Sequence, residues 1–286
     1  MQLASKKTVQ FLCKKYGLRP SRSSGQNFLV CQDVIEDSMR AGTITAHDVI
    51  VEVGAGFGTL TAALAAQAAT LYSVEMDKRL FAALQQLEQT YQNLHTVRGD
   101  FFQQWPQLKE KLSDVGYKVI ANVPYNITSK LIRHFLEQHP RPREMVLLVQ
   151  REVAERIVAA IGAMSLLAVS VQFYSAPKSI RIVSKDCFYP VPQVDSALIH
   201  ITNIGIDANG YQRRLRGISD DQFFSIVKIG FSAKRKQLHN NLAAGLRLSD
   251  QAVKSLLTRA QINPKIRAQE LSIQNWINLT WEIHSK

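Results

Sequence analysis

The stretch VEVGAGFGTLT, Val51–Thr61, runs from the end of an apolar, β-branched segment into a helix-forming one and sets Gly54, Gly56 and Gly58 in the turn between them. Glycines there let the backbone turn tightly and approach a ligand with no Cβ in the way. A dinucleotide fingerprint wants its third glycine three residues after the second, where this chain has Thr59, and no Walker lysine follows, so both of those readings lose ground. Outward from the turn the pattern repeats. VIVEV (49–53), TLYSVE (70–75), LHTVR (94–98), KVIAN (118–122) and MVLLVQ (145–150) read as strands, and 59–68, 78–90 and 127–138 have helical spacing between them. Alternating strands and helices with near-continuous apolar strands predict an α/β fold with a buried parallel sheet. A later pair, 179–184 and 196–202, adds antiparallel strands at one end.

Ligands of such sheets sit outside the carboxyl ends of the strands, where Glu52, Glu75, Asp100 and Asn122 all fall. Glu75 lies 21 residues after Gly54, placed to accept hydrogen bonds from ribose hydroxyls, and Asp100 could take the exocyclic amine of an adenine. Taken singly, each acid is a common helix cap or solvated turn; four at successive strand ends point to a nucleoside.

Asn122, Val123, Pro124 and Tyr125 then leave the fourth strand as an extended loop, since Pro124 fixes its own φ and biases Val123 away from helix. An adenine amino nitrogen is a poor nucleophile because its lone pair is drawn into the ring. Asn122 Oδ1 and a backbone carbonyl of Val123–Pro124 could accept both N6 protons and turn that lone pair outward. Tyr125 could stack on the base and favour developing positive charge. The competing reading is a plain turn with a buried tyrosine. Farther on, CFYPVPQVDSALI sets Phe188 ahead of Pro190 and Pro192, either as the opposite wall of the base slot or as a core aromatic.

Composition bounds the partners. The 286 residues carry 35 Lys and Arg against 23 Asp and Glu, with 22 basic against 17 acidic over 1–206 and 13 against 6 over 207–286. The first 32 residues hold six basic residues and no acid. Basic zones flanking a balanced middle suit a polyanion. No apolar run reaches the roughly 18 residues of a membrane span, and the amino terminus has no secretory pattern, so a cytoplasmic protein is expected. Cys13, Cys31 and Cys187 are far apart and odd in number, which predicts buried thiols, and the seven histidines have no metal-ligand spacing; no metal is expected. After 202, NIGIDANG (203–210) breaks the pattern, and helical segments follow near 220–231, 234–244, 249–260 and 272–283, with Ser249 and Ser272 at N-cap positions. The expected domains are 1–206, including a basic segment 1–32, and a helical 207–286.

These residues resemble a known family, the ribosomal RNA adenine N6-dimethyltransferases of the kasugamycin-sensitivity type, over nearly the whole chain. The resemblance is carried by SGQNFL (24–29), VEVGAGFGTLT, SVEMD (73–77), Gly99–Asp100, NVPYNITS, EVAERI (152–157), FYPVPQVDSALI, GFSAKRKQLHNNL (230–242) and RAQELS (267–272). It implies a Rossmann-like seven-stranded methyltransferase domain and a small helical RNA-binding domain. S-adenosylmethionine would be held by Asn27, Leu29, Gly54, Glu75, Asp100 and Asn122, with Gln26, Ala55, Gly56, Met76 and Phe101 beside them. Asn122, Pro124, Tyr125 and Phe188 would form the catalytic set. The implied reaction is dimethylation of two adjacent adenines in small-subunit ribosomal RNA or an immature small subunit, by a monomer active in ribosome biogenesis. Lys234, Arg235 and Lys236, with the basic amino-terminal segment, are the phosphate-contact candidates. Ser24 and Val123 stand where the family usually has leucine, and 159–165 is shorter than the family's loop. The rivals are the macrolide-resistance enzymes of large-subunit RNA, which share Gln-Asn-Phe-Leu and Asn-x-Pro-Tyr, and non-catalytic nucleic-acid-binding relatives.

Overall fold

The computed structural model describes residues 3–20, 25–113, 115–205 and 217–285. Ser24 of the SGQNFL motif and the expected boundary at 206/207 lie outside the described residues. In chain order the elements are α1 (Lys6–Lys15), β1 (Phe28–Leu29), α2 (Gln32–Ala41), β2 (Val49–Val53), α3 (Thr59–Ala65), β3 (Thr70–Glu75), α4 (Lys78–Glu88), β4 (Leu94–Arg98), α5 (Phe101–Leu112), β5 (Tyr117–Asn122) and α6 (Thr128–Glu137). They continue with β6 (Glu144–Gln150), α7 (Arg151–Ile157), α8 (Leu166–Tyr174), β7 (Ala176–Val183), β8 (Phe188–Tyr189), β9 (Ser196–Thr202), α9 (Asp220–Gly230), α10 (Leu238–Leu246), α11 (Asp250–Arg259) and α12 (Ile273–His284).

Seven strands form one sheet in the order β4-β3-β2-β5-β6-β9-β7. The first five are parallel, and β9 runs antiparallel to both β6 and β7. The sequential run β2-β3-β4 goes one way from the centre and β5-β6 the other, so the crevice of a doubly wound sheet opens between β2 and β5. On either side of the crevice register aligns the strand ends: Val53 of β2 lies opposite Val74 of β3, and Asn122 of β5 opposite Leu148 of β6. The core beneath is aliphatic, with Ile50, Leu71, Ile120, Val146 and Leu198 all buried. At the opposite, amino-terminal ends of the strands, buried Lys118 bonds Asp48 Oδ2 and Glu144 Oε1, each at 3.1 Å, and the Gly42 carbonyl at 2.8 Å. That network satisfies a cation that is only 9% exposed.

The chain divides into two compact units, 3–154 with 176–204, and 155–175 with 205–285 among the described residues. The helical unit thus takes in a segment from within the first two thirds of the sequence. Within it, the Phe173 and Phe223 rings stack at 4.1 Å, Tyr174 Oη donates to Asp220 Oδ2 at 2.7 Å, and Trp276 is fully buried. Ser249 and Ser272 cap α11 and α12, as their positions predict.

Two expectations need correction. Cys31 and Cys187 are joined in a disulfide, and only Cys13 is a buried thiol. The two are 156 residues apart, but antiparallel β1–β8 pairing brings their Cα atoms to 5.0 Å. They, with Asp33, are the side chains that converge like metal ligands among the described residues, and their sulfurs are spent on each other. Lys234–Lys236 are in an exposed turn, not a helix: α10 starts at Leu238, and Lys236 N–H bonds the Ala233 carbonyl at 3.1 Å. Helix α8 carries no clear sequence signal because seven of its nine residues are buried and it shows no amphipathic period. Among the described residues no helix is long and apolar enough to cross a membrane.

Candidate active site

At the carboxyl ends of β2, β3, β4 and β5 a cavity of about 250 Å³ opens. The β2–α3 turn forms its floor. Gly54 has φ +79°, and a Cβ there would lie 2.8 Å from Pro124 Cδ, so this glycine is what lets the turn and the Asn122–Tyr125 loop touch. Gln26, Asn27, Leu29, Gly54, Ala55, Gly56, Glu75, Met76, Asp100, Phe101, Asn122, Pro124 and Tyr125 line the cavity together. Glu52, the fourth strand-end acid, lines it too, and Phe28 and Phe57, whose rings meet at 4.7 Å, join from outside the expected set.

The acids are held by their neighbours. Glu75 accepts Gly56 N–H on Oε2 and Asp77 N–H on Oε1, each at 2.8 Å, and burial raises its pKa. Asp100 caps α5 through Oδ1, which accepts Phe102 N–H at 2.9 Å, while Oδ2 takes no donor among the described residues. Glu52, 2% exposed, accepts the hydroxyls of Thr61 at 2.6 Å and Ser73 at 2.7 Å on one oxygen, and burial pushes its pKa up to about 7. Among the described lining residues are four carboxyls, Glu52, Glu75, Asp77 and Asp100, and no Lys, Arg or His. Such a lining suits a hydroxyl-bearing or cationic ligand and leaves a pyrophosphate without a counter-charge.

The Asn122 loop has two acceptors to spare. Asn122 Nδ2 donates to the Asn27 carbonyl at 3.1 Å, which fixes the amide so that Oδ1 is the atom left over. The Pro124 carbonyl is engaged by Ile127 N–H at 3.1 Å and Thr128 Oγ1 at 3.3 Å. The Val123 carbonyl takes no donor among the described residues, while Val123 N–H is anchored to Leu148 O at 3.1 Å. Tyr125 Oη shares a 2.8 Å hydrogen bond with Ser196 Oγ, and burial raises the phenol's pKa. The loop thus presents Asn122 Oδ1 and Val123 O as fixed acceptors beside a pinned aromatic ring.

Phe188 is not part of this arrangement, which corrects its expected place as a wall of the slot. It is 1% exposed, paired with Leu29 across β1–β8 and packed against Val34, Ile35 and Leu198. The short β1–β8 ladder turns its ring into the core. Lys234, Arg235 and Lys236 are all exposed in the helical unit, where Asn241 Nδ2 holds their turn through the Gly230 and Ala233 carbonyls at 2.6 and 3.1 Å.

Comparison with known proteins gives this geometry a family. Ribosomal RNA small subunit methyltransferase A from a strain of Dehalococcoides mccartyi is 39% identical over 262 residues, 91% of this chain and 87% of that protein. The protein of the same name from Clostridium botulinum is 33% identical over 272 residues, 94% of this chain and 96% of its own length. Among solved structures, a dimethyladenosine transferase from Plasmodium falciparum matches with a TM-score of 0.69 at 22% identity, covering 88% of this chain and 95% of that one. The 23S rRNA methyltransferase ErmE matches with a TM-score of 0.67 at 22% identity, covering 90% and 99%. These two establish the fold and do not separate small-subunit from large-subunit enzymes. With the ribosomal RNA adenine dimethylase pattern matched across residues 18–285, the chain belongs to that family.

Proposed function

We propose that this chain is a ribosomal RNA adenine dimethyltransferase that moves methyl groups from S-adenosylmethionine to adenine N6 in small-subunit ribosomal RNA, two on each of two adjacent adenines. The observation that carries this reading is the pair of unspent acceptors, Asn122 Oδ1 and Val123 O, on a loop anchored on both sides. Two acceptors on the two N6 protons favour a pyramidal nitrogen, whose lone pair then leaves the ring. Because Asn122 Nδ2 is already committed to Asn27, the amide need not reorganise when the base arrives, which is where preorganised dipoles gain over water.

The residues present fit the cofactor. The close Gly54–Pro124 approach leaves no room for a Cβ, Glu75 and Asp100 keep lone pairs for ribose hydroxyls and an adenine amine, and the carboxyl-rich lining suits a cationic sulfonium. Bound there, S-adenosylmethionine supplies an electrophilic methyl carbon. Once alkylated, N6 is strongly acidic and its proton passes to water, so the site needs no general base. The target adenine must leave its stack to enter, at a cost of a few kcal/mol that backbone contacts elsewhere must offset. Lys234, Arg235 and Lys236, exposed on their turn, are suited to such phosphate contacts. The names of the relatives favour the small subunit over the large-subunit alternative, and an enzyme of ribosome assembly works in the cytoplasm, here as a monomer.

The test is to incubate the protein with tritiated S-adenosylmethionine and immature small subunits lacking the modification, digest the RNA and identify the labelled nucleoside. N6,N6-dimethyladenosine is expected. Label in another nucleoside or in nothing refutes the reading, as does dimethyladenosine formed only in a parallel incubation with unmodified large-subunit RNA.

A further inference from the structure

We propose that the solvent face of α1 is an RNA-docking surface, on which the Phe11 ring stacks against an unpaired base while Lys7, Lys14 and Lys15 take the adjoining phosphates. The inference rests on the reading of RNA as substrate and adds a surface outside the cavity.

The helix is built in two halves. Val9, Leu12 and Cys13 are buried in one cluster with Phe28, Phe57 and Leu80, three residues that also line the cavity. The other half carries Phe11, 56% exposed, with Lys6, Lys7, Lys14 and Lys15 exposed around it. On a helix Lys7, Lys14 and Lys15 stand at i−4, i+3 and i+4 from Phe11, so the ring is framed by ammonium groups.

Lys14 and Lys15 lie in the last turn of α1, where the helix dipole favours them, but no such role falls to the lysines at the other end. Lys6 and Lys7 occupy the first turn of α1, which holds no acid, and the helix dipole disfavours cations at that end. Among the described residues Lys6, Lys7 and Lys14 form no side-chain hydrogen bond or ion pair, whereas Arg40, Arg79 and Arg133 in the same unit pair with Asp37, Asp77 and Glu137. Lys15 reaches Gln86 Oε1 at 3.4 Å and lies over the Tyr16 ring, contacts that leave its charge unneutralised. The first 32 residues hold six bases and no acid, so the segment itself supplies no counter-charge.

An exposed aromatic ring within a field of uncompensated positive charge matches the way single-stranded RNA is held, by stacking on the base face and ion pairing along the backbone. A second copy of the chain would bring like charges together. One ring among lysines also lacks the broad apolar face that a membrane-surface helix needs. Since the buried side of α1 backs onto cavity-lining residues, RNA on its outer side lies within about one helix diameter, on the order of 10 Å, of the cavity wall.

The experiment uses the full chain with a fluorescein-labelled 20-nucleotide single-stranded RNA of mixed sequence and, separately, with immature small subunits. Phe11→Ala and Phe11→Leu should each weaken RNA affinity on the order of tenfold, and Phe11→Trp should retain it. Because the ring is outside the core, circular dichroism and S-adenosylmethionine affinity should not change. Lys7→Gln combined with Lys14→Gln should lower the slope of log affinity against log salt by about 1.4, two phosphates at about 0.7 each. Wild-type RNA affinity in Phe11→Ala overturns the proposal even when methyl transfer by the wild type is intact. So does Phe11→Leu binding as well as Phe11→Trp, since stacking would then not be the contact. Loss of self-association in Phe11→Ala with RNA affinity unchanged assigns the face to a second copy and also overturns it. If no variant, wild type included, methylates RNA yet Phe11→Ala loses affinity, the docking surface stands and the enzymatic reading falls.

Discussion

Gly54→Ala is the smallest change that tests whether the cofactor turn and the Asn122 loop act as one unit. Two costs can be separated. The first is backbone strain: φ +79° is left-handed, which costs an L-residue about 1–2 kcal/mol. The second is contact, because the new Cβ would lie 2.8 Å from Pro124 Cδ and 2.9 Å from Cγ, inside the roughly 3.4 Å of ordinary contact. A proline ring cannot rotate away as a flexible side chain does, so Pro124 must shift by about half an ångström and carry Asn122 and Tyr125 with it. Overpacking of this kind adds about 1–3 kcal/mol. Since about 1 Å of misplacement can cost a hundredfold in rate, half of that predicts a loss on the order of tenfold. Gly17→Ala supplies the control, with a left-handed φ of +60° and nothing within 4 Å of the added methyl. Urea denaturation and single-turnover methyl transfer should show Gly54→Ala destabilised by about 2–5 kcal/mol and slowed about tenfold or more. Gly17→Ala should lose only about 1–2 kcal/mol and keep its rate. Equal rates in the two variants would refute the argument.

Two further perturbations follow from buried groups. Glu52 has an ordinary carboxyl pKa of 4.5 raised by burial to about 7, so between those values the folded state keeps a proton that the unfolded chain has released, and stability falls as pH rises. The full rise corresponds to about 3 kcal/mol; Glu52→Gln should flatten that part of the stability curve in urea denaturation between pH 5 and 8, and an unchanged slope would contradict the assignment. For the cysteines, thiol titration of unfolded protein prepared without reductant should find one reactive group, Cys13, and three after reduction, and three in both cases would contradict the Cys31–Cys187 bond.

Much of the catalytic half was legible because its strands are apolar runs bounded by turn residues. VIVEV, TLYSVE and LHTVR are strands over the expected spans, and Gly54, Glu75, Asp100 and Asn122 meet at one cavity because a parallel sheet puts all its carboxyl ends on one edge. What escaped the reading depends on contacts distant in sequence. Phe188 looks like a slot aromatic until the β1–β8 ladder turns it inward, and the same ladder creates the Cys31–Cys187 pair. Glu52 falls at a strand end like its fellow acids, yet the Thr61 and Ser73 hydroxyls that hold it come from the next helix and strand. Local pattern was also blind where a helix is buried on most of its sides, as in α8, and where a turn interrupts good helix formers, as at Lys234–Lys236.

In the proposed mechanism Asn122 Oδ1 is a preset acceptor for the amino group being methylated. Its most direct test is the single-turnover methyl-transfer rate of Asn122→Ala on immature small subunits, read beside S-adenosylmethionine affinity by calorimetry. The rate should fall by at least about a hundredfold, while affinity changes by no more than about tenfold, the worth of one hydrogen bond. A wild-type rate, or a loss of rate fully explained by lost cofactor binding, would contradict the account.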